Sequence, residues 1–243
     1  MPKITIITIV FNNREGFIKT LNSVVSQTYK NKEYLVIDGG STDGTLDVIK
    51  HNSNFIDYWV SEKDRGIYDA MNKGLAKANG EWVIFMNSGD VFSESDVLSK
   101  IFDSTIIENV DLIYSDYYTE GDGLKILNKS DAASGKFMHQ SIIYKKDLHN
   151  QFGYYLVTKP LIISDFLFLA SIPLEKKIKT NVVICTIQPG GISQQGMWAM
   201  SQMACGQHIF FQESIFHTIL ALLKCLIIDS TPQLIKRLVK LFF

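Results

Sequence analysis

The feature that most constrains this chain is an alternation of two patterns over its first hundred residues. Short β-branched runs with the length of buried strands lie at Ile4–Phe11, Glu33–Asp38 and Glu81–Met86. Between them, apolar residues recur every three or four positions, as they do on the buried face of a helix. Because strands that alternate with helices form right-handed βαβ units, the sequence predicts an α/β fold with a mostly parallel sheet flanked by helices.

Less regular patterns predict further elements. Apolar spacing indicates a helix over residues 67–78, with Gly80 at its C-terminal cap. A turn at Gly39–Gly44 should lead into another helix that is capped by Ser41 or Thr42. The remaining predictions are a helix over 97–106 and strands at Phe55–Ser61, Asp111–Tyr118, Ser141–Tyr144 and Asn181–Ile187.

Composition narrows the class of protein. The 243 residues suit one large domain or one domain with a small appendage, and a hydrophobic content of 46% allows a sizeable core. The formal net charge of −1 shows no basic excess of the kind that nucleic-acid binding requires. Three cysteines without a C-x-x-C pair argue against a disulfide framework or a zinc cluster. The first residues lack the long apolar region of a signal peptide, so we expect a cytoplasmic location.

The C-terminal segment has a different character. Apolar residues between Ile215 and Ile227 form a broad face, and a second apolar stretch follows Pro232 with basic residues opposite. The clean run is shorter than the roughly 20 residues that a membrane-spanning helix needs. Two interpretations remain open: helices that lie on a membrane surface, or helices packed on the protein's own core. The basic residues are Lys236, Arg237 and Lys240.

Common nucleotide-binding and hydrolase motifs are absent from the sequence. It contains no G-x-G-x-x-G after the first strand, no G-x-x-x-x-G-K-[ST] and no G-x-S-x-G. A nucleotide diphosphate would therefore be neutralised in another way, for example by a divalent cation on a carboxylate. Asp38 and Asp90 follow predicted strands, at the edge where parallel sheets bind ligands. Asp90 is the candidate metal ligand; the alternative is that Asn87–Asp90 only forms a turn.

Five segments in the first 90 residues match the motifs of a known family in order and spacing. Through them the chain resembles the family 2 glycosyltransferases, which have the GT-A, Rossmann-like nucleotide-binding fold. It looks closest to the subgroup that builds colanic acid and other bacterial surface polysaccharides, such as exopolysaccharide or O-antigen. The matching segments are residues 4–12, 23–29, 36–45, 61–74 and 79–90.

The resemblance implies roles in a donor site. Asp38 would accept a hydrogen bond from the donor's base, and Asp90 would bind Mn²⁺ or Mg²⁺ at the end of a D-x-D-like motif. Arg65 would lie near the diphosphate. Glycines at positions 39 and 89 stand where the family often has a second acid. The preferred nucleotide base and the full set of metal ligands are therefore left open. The other donor-site candidates are Asp69, Asn72, Asn87 and His139.

Three of these candidates also have a purely structural interpretation. Arg65 could form a surface ion pair with Glu62 or Asp69. Asn72 could simply lie on a helix surface. A lone histidine such as His139 is more often a buried structural residue than one that touches acceptor or diphosphate.

Sugar transfer also needs a base for the acceptor hydroxyl. The family places an acid after the metal motif, and Asp165 is the single acid in the apolar run Ile162–Leu169, which fits a strand or a helix. Because an unpaired buried carboxylate is costly, Asp165 should face a cleft as the base or else cap the helix that follows. A single displacement at the anomeric carbon would invert its configuration.

These patterns predict an inverting, metal-dependent glycosyltransferase of the hexosyltransferase type. It would use a nucleotide-sugar donor and a glycan or lipid-linked acceptor at the cytoplasmic face of the inner membrane, as a peripheral membrane protein. The alternatives are a nucleotidyltransferase on a similar fold and a non-catalytic carbohydrate-binding relative. The expected organisation is a GT-A domain over 1–208, with a nucleotide-binding half (1–110) and an acceptor half (111–208), and an amphipathic helical tail over 209–243.

Overall fold

A computed structural model describes residues 1–104, 109–121, 123–158, 161–188, 196–212 and 214–230. It contains two sheets, of seven and four strands, and eight α-helices in these ranges. The strands are β1 (Ile4–Val10), β2 (Lys32–Asp38), β3 (Tyr58–Ser61), β4 (Trp82–Phe85), β5 (Val91–Phe92), β6 (Leu112–Tyr114), β7 (Tyr117–Gly121), β8 (Leu124–Asn128), β9 (Ile142–Lys145), β10 (Lys177–Lys179) and β11 (Cys185–Ile187). The helices are α1 (Arg14–Val25), α2 (Thr45–His51), α3 (Ile67–Lys77), α4 (Val97–Ser104), α5 (Leu148–Phe152), α6 (Ser164–Ser171), α7 (Gly196–Phe211) and α8 (Ile215–Ser230).

The central sheet has the strand order β10-β6-β9-β4-β1-β2-β3. All neighbouring pairs are parallel except those of β9, which runs antiparallel to both β4 and β6. Every residue of β1 is buried, because helices cover both faces of the sheet. The α/β architecture with a mostly parallel sheet is thus confirmed.

Each face of the sheet has its own hydrophobic core. On one face, α1 and α4 contribute Phe17, Leu21 and Ile101. On the other face, α3 contributes Met71 and α6 contributes Phe168. These two layers fix the carboxyl ends of β1, β2 and β4 at one edge of the molecule.

The smaller sheet has the order β5-β11-β7-β8 and was not anticipated from sequence. The single strand predicted at Asp111–Tyr118 is in fact two, β6 in the large sheet and β7 in the small one. The chain changes sheet at the fully buried Ser115, whose amide donates to Ser141 O and whose hydroxyl donates to Asp116 O. The strand predicted at Asn181–Ile187 is shorter, since only Cys185–Ile187 pairs with neighbours.

The turn after β2 also differs from its prediction. Helix α2 begins at Thr45, so neither Ser41 nor Thr42 caps it. Gly44 precedes the helix at φ 91°, a left-handed conformation that glycine adopts without strain. Asp43 Oδ1 instead accepts from the Thr45 amide at 3.1 Å.

Gly80 is not a helix cap either. Helix α3 ends at Lys77, and Gly80 lies against β1. A Cβ at this position would be 2.6 Å from the Thr5 amide nitrogen. The glycine therefore permits a close approach of two backbones.

The C-terminal part of the described chain is a helical hairpin of α7 and α8. The predicted domain boundary after residue 208 falls inside α7, which continues to Phe211. Among the helices that the structure describes, none is long and apolar enough to cross a membrane. The second apolar stretch predicted after Pro232 lies outside the described residues.

Candidate active site

A cavity of about 890 Å³ lies beyond the carboxyl ends of β1, β2 and β4. Its walls come from α3, α6 and the segment before β9. Four of the predicted site residues line this one cavity: Asn87, Asp90, His139 and Asp165. The other four are not among its lining residues, although some of their chain neighbours are: Asp38, Arg65, Asp69 and Asn72.

The turn that carries Asp90 is held from α1. The amide of Asp90 donates to Asn87 O at 2.9 Å. Thr20 Oγ1 donates to Asp90 O at 2.7 Å and accepts from the Gly89 amide at 3.0 Å. Gly89 has φ 106°, and a Cβ there would be 3.0 Å from Gln188 Oε1. This conformation and the lack of space explain a glycine where the family often has an acid.

The Asp90 carboxylate is buried and accepts two hydrogen bonds, but it has no cationic partner among the described residues. Its side chain accepts from Gln140 Nε2 at 2.9 Å and from the Gln188 amide at 3.2 Å. Burial raises its pKa to about 7, against the lowering effect of these two bonds. A carboxylate in this setting gains from any cation that enters the cavity.

Asn87, three residues before Asp90, also lines the cavity. Its Oδ1 is buried and has no hydrogen-bond partner among the described residues. Carboxylate and amide oxygens are the ligands that hard divalent cations prefer, so the residues present fit a Mg²⁺ or Mn²⁺ ion. No group of three or more His, Cys, Asp or Glu side chains that could hold a metal occurs in the described ranges. An ion here would therefore take further oxygens from solvent or a ligand.

Asp38 ends β2 and is completely buried. Its carboxylate accepts from the Ser41 amide at 3.1 Å and from the hydroxyls of Ser41 and Ser61. These bonds fix the loop whose Gly39 and Gly40 line the cavity. Asp38 thus shapes the cavity wall from behind.

Phe11 lies beside this loop and was not singled out by sequence. Its side chain is 64% exposed, yet it lines the cavity. A Cβ on Gly39 would be 3.2 Å from its ring, so the glycine lets the loop pass close to the aromatic face. An exposed aromatic ring at a cavity edge can stack on a planar ligand.

Arg65 and Asp69 form an ion pair at the start of α3. Arg65 Nη2 donates to Asp69 Oδ1 at 2.8 Å, and the Arg65 amide donates to Asp69 Oδ2 at 3.1 Å. Although burial acts to raise the pKa of Asp69, the bonds from Arg65 and the charge of Lys73 hold it below its usual value. The Arg65 side chain is 78% exposed, so its guanidinium can leave this pair at little cost.

Asn72 is a connector between α3 and the segment after α5. Its Nδ2 donates to Tyr155 O at 2.8 Å, and its Oδ1 accepts from the Tyr155 amide at 3.1 Å. Both polar ends of the side chain are thereby used. Asn72 supports the wall of the cavity.

Asp165 lies in the first turn of α6 and faces the cavity with 27% of its side chain exposed. Tyr68 donates to Asp165 Oδ1 at 2.7 Å. Tyr68 in turn accepts from the Ser164 amide at 2.9 Å. The residue before α6, Ile163, makes no side-chain cap, and Asp165 itself does not cap the helix. Of the two placements considered from sequence, Asp165 has the one that faces a cleft, and its role as the base stays a prediction.

His139 lies next to Asp165 in a one-turn 3₁₀ helix before β9. Its Nδ1 is 3.6 Å from Asp165 Oδ2. Burial lowers the pKa of His139, while the charge of Asp165 acts in the opposite direction. The ring also lies 5.1 Å from that of Phe85, so the imidazole is enclosed on its apolar side.

Comparisons with known proteins identify relatives of this chain in sequence and in fold. The sequence model described as Glycosyl transferase family 2 matches residues 5–162. An uncharacterized glycosyltransferase of Mycobacterium tuberculosis is 42% identical over 100 residues, covering 41% of this chain and 38% of the relative. The cholesterol galactosyltransferase of Borreliella burgdorferi is 33% identical, covering 53% of this chain and 36% of the relative. A PGL/p-HBAD biosynthesis glycosyltransferase of Mycobacterium bovis is 30% identical, covering 63% of each. The matched region is thus well short of these relatives' full length.

Solved structures share the fold. Staphylococcus aureus TarS 1-349 in complex with UDP-GlcNAc superposes with a TM-score of 0.67 at 17% identity, covering 92% of this chain and 71% of that one. The mannosyltransferase PcManGT of Pyrobaculum calidifontis, in complex with GDP-Man and Mn²⁺, superposes with a TM-score of 0.68 at 18% identity. That match covers 91% of this chain and 70% of the mannosyltransferase. At these identities the likeness establishes the fold.

Proposed function

The chain belongs to glycosyl transferase family 2. On this basis we propose that it transfers the sugar of a nucleoside diphosphate sugar to a glycan hydroxyl, with inversion of configuration at the anomeric carbon. One observation carries the proposal. The cavity is lined by two carboxylates with different surroundings. Asp90 shares a turn with Asn87, whose Oδ1 has no hydrogen-bond partner among the described residues, and Asp165 accepts a hydrogen bond from Tyr68. Asp90 could bind a cation that holds the donor diphosphate, and Asp165 could accept the proton of the acceptor hydroxyl.

The donor diphosphate would lie against Asp90 and Asn87. These two residues would hold a divalent cation, Mn²⁺ or Mg²⁺. Bound there, the cation would neutralise the negative charge that develops on the departing diphosphate. Relatives in fold support this, since one was solved with UDP-GlcNAc and another with GDP-Man and Mn²⁺. Gln140 and the Gln188 amide hold the Asp90 carboxylate in place.

The nucleoside would lie towards Phe11 and the loop that Asp38 holds. Phe11 offers a ring for stacking, and Gly39 and Gly40 leave room for a base against the backbone. Asp38 would act on the base through this loop, because its carboxylate already accepts bonds from Ser41 and Ser61. We therefore assign recognition of the nucleotide base to Phe11 and the loop that contains Gly39 and Gly40.

Arg65 would move to the diphosphate when the donor binds. Its neighbours Asp64 and Gly66 line the cavity, and its own side chain is largely exposed. The pair with Asp69 orients it in the absence of donor. Asn72 would contribute by holding the Tyr155 segment in place.

Asp165 would be the general base. Tyr68 donates a hydrogen bond to Oδ1, while the exposed part of the side chain faces the cavity. The acceptor hydroxyl would attack the anomeric carbon as Asp165 takes its proton. One displacement inverts the configuration at that carbon.

The acceptor we propose is lipid-linked, at the cytoplasmic face of the inner membrane and within surface polysaccharide biosynthesis. Support comes from the apolar surface of α8, where five large apolar side chains are exposed among those that the structure describes. The basic, apolar stretch of residues 232–243 follows α8 directly in sequence. Apolar side chains combined with lysine and arginine favour binding at an anionic lipid interface. The exposed side chains are Ile215, Phe216, Ile219, Leu220 and Leu223.

The test is a product assay with the full chain. The protein is incubated with Mn²⁺ or Mg²⁺, a panel of nucleotide sugars and lipid-linked glycan acceptors. We expect release of nucleoside diphosphate together with a glycan one sugar longer, and none of either when EDTA is present. Release of pyrophosphate instead would indicate a nucleotidyltransferase. Absence of donor consumption with every donor and metal would reject the proposal.

A further inference from the structure

Behind Asp165 runs a chain of buried hydrogen bonds that neither sequence nor family membership assigns. It joins His149, Tyr144, Tyr155 and His139, all of them buried. His149 Nδ1 lies 3.0 Å from Gly153 O, and His149 Nε2 lies 2.9 Å from the Tyr144 hydroxyl. The Tyr144 and Tyr155 hydroxyls are 2.8 Å apart, and the Tyr155 hydroxyl is 3.3 Å from His139 Nε2. The chain of hydrogen bonds ends at His139, whose Nδ1 lies 3.6 Å from Asp165 Oδ2 on the cavity side.

The direction of these bonds is fixed from the His149 end. A carbonyl oxygen only accepts, so His149 Nδ1 must carry a hydrogen and donate to Gly153 O. Burial lowers the pKa of His149 to about 4, so the ring is neutral at pH 7. Its Nε2 is therefore a bare acceptor, and Tyr144 must donate its one hydrogen there.

The Tyr144 hydroxyl in turn fixes the hydrogens on Tyr155 and His139. Because the Tyr144 hydrogen is used, Tyr155 donates to Tyr144. The Tyr155 oxygen can then only accept from His139, so His139 Nε2 carries the hydrogen. In the neutral ring, Nδ1 is left bare and faces Asp165 Oδ2 at 3.6 Å.

The other carboxylate oxygen is fixed as well. The Ser164 amide donates to the Tyr68 hydroxyl, so the Tyr68 hydrogen goes to Asp165 Oδ1. The pair formed by Asp165 Oδ2 and His139 Nδ1 thus has two acceptor atoms and no hydrogen between them. It has room for one proton.

We propose that His139 is a positioning residue whose bare Nδ1, set by the Tyr155–Tyr144–His149 chain, shares the proton that Asp165 takes from the acceptor. This rests on the proposed function of Asp165 as the base. Nδ1 stabilises the protonated carboxyl by accepting its hydrogen, which makes Asp165 a stronger base than it would be alone. The buried chain serves to prevent the opposite tautomer, whose Nδ1 hydrogen would stabilise the carboxylate and weaken the base.

Atoms and electrons balance in this step. The acceptor O–H bond breaks while its oxygen forms a bond to the anomeric carbon. The bond from that carbon to the diphosphate oxygen breaks, and the leaving diphosphate keeps the electron pair. The proton resides between Asp165 Oδ2 and His139 Nδ1 and passes to solvent through the cavity after the product leaves.

The groups around His139 support a single shared proton. Asp165 faces it from α6 and Tyr155 from the segment after α5. Tyr144 of β9 and His149 of α5 lie behind Tyr155. From β4 it meets only the apolar ring of Phe85. Asp165 is thus the one charged group that these elements turn towards the imidazole.

The first test is the tautomer of His139 in the protein alone. ¹⁵N NMR of histidine-labelled protein distinguishes bare from protonated ring nitrogens, and His139→Gln assigns the signals. At pH 8 we expect hydrogen on Nε2 and a bare Nδ1, with Nδ1 taking up the shared proton as the pH falls. Tyr144→Phe should reverse the pattern, because Tyr155 then turns to donate to His139 Nε2 and the ring hydrogen moves to Nδ1.

The second test is the pH profile of kcat. In His139→Gln and in Tyr144→Phe we expect the plateau to fall about tenfold or more. The acid limb of the kcat profile should move to lower pH by about one unit, because protonated Asp165 no longer has a bare Nδ1 to which it can donate. The donor KM should stay unchanged. A merely structural role would lower the plateau without moving the limb.

Tyr29→Phe is the matched control, since it removes a buried tyrosine hydroxyl that bonds to Pro2 O, far from the cavity. It should leave the profile and the His139 tautomer as they are in the wild type.

The failures of the two proposals are distinguishable. Hydrogen on Nδ1 at pH 8 in the wild type, or an unmoved acid limb in His139→Gln, overturns the inference. If Nδ1 is bare and takes up the shared proton but no nucleotide sugar is consumed, the proton-holding pair stands and the proposed function fails.

Discussion

At the scale of single residues, Asp90 and Asp165 show how surroundings assign different chemistry to the same side chain. Asp90 is 7% exposed, and it receives bonds from an amide side chain and a backbone amide. Asp165 is partly exposed and receives a tyrosine hydroxyl on one oxygen. We propose that the first carboxylate, which is buried, binds a cation and that the second, which the cavity reaches, takes up a proton.

Replacing the base should slow transfer without weakening donor binding. In Asp165→Asn we expect kcat to fall by about 10²–10⁴-fold, which is the usual contribution of a general base. The donor KM should change little, because the amide keeps the size of the side chain. Steady-state kinetics of nucleoside diphosphate release measures both. Asp47→Asn, at an exposed position of α2, is the control and should keep wild-type kinetics; a normal rate in Asp165→Asn would contradict the role of this residue.

The pKa of Asp90 predicts a pH-dependent stability. Its folded-state value, about 7, lies above the usual range. The stabilising contribution of the neutral carboxyl is therefore fully present below the ordinary aspartate pKa of about 3.9 and is lost as the pH rises through the folded-state value. Without metal, Asp90→Asn should raise Tm relative to the wild type at pH 8 and leave it nearly unchanged at about pH 4, as measured by thermal unfolding. An equal difference in Tm at both pH values would show that the buried charge is not the cause.

Sequence predicted the acids of this site better than their partners. Asp90 stands in a segment whose order and spacing match the family, and Asp165 is the single acid in the apolar run Ile162–Leu169. Their partners come from remote positions: Gln140 is 50 residues from Asp90, and Tyr68 is 97 residues from Asp165. No local pattern marks such pairs, because they form only when the sheet and helices are assembled.

At the scale of elements, prediction succeeded where burial is uniform. β1, β2 and β4 were placed to within one residue, since a strand covered on both faces is an unbroken apolar run. The strand at Asp111–Tyr118 was wrong in extent because its composition continues past Ser115, while its partners change there from one sheet to the other. Such a strand ends where its pairing partner ends, and the partner strand is remote in sequence.

Helix α8 allows a test of membrane contact. Replacing Ile219 and Leu223 with aspartate should reduce binding to vesicles that contain anionic lipid by at least tenfold, because each buried apolar side chain contributes about 1.5–3 kcal/mol. Co-sedimentation measures the bound fraction. The control replaces Leu124 and Ile126 on β8, which are also exposed, with aspartate and should bind as the wild type does. Equal losses in both variants, or none in the α8 variant, would reject α8 as the contact surface.

At the scale of the whole molecule, the cavity is formed by both halves of the chain. Asn87 and Asp90 come from the first half, and His139 and Asp165 from the second. The predicted division at residue 110 therefore passes through one shared site. A ligand that bridges both halves should stabilise the folded chain as a unit.

This leads to a prediction for thermal unfolding. A nucleoside diphosphate with Mn²⁺ at 100 times its Kd should stabilise the folded chain by about 2.7 kcal/mol. Differential scanning fluorimetry should show the rise in Tm with Mn²⁺ and a much smaller one with EDTA. Asp90→Asn should lose the metal-dependent part only. The nucleoside monophosphate, which lacks the second phosphate, is the control ligand; an equal rise in Tm with both ligands would argue against a diphosphate at Asp90.

The reversed direction of β9 has a consequence for how this protein can diversify. Its neighbour β4 ends at the cavity, whereas β9 starts there, so His139 and Gln140 enter the site from the incoming connection. Residues upstream of β9 can thus be exchanged or extended while the register of Val83 with Tyr144 stays the same. We therefore expect that grafting this incoming connection between relatives, with His139 and Gln140 kept so that Gln140 still holds Asp90, changes the preference for the proposed acceptor.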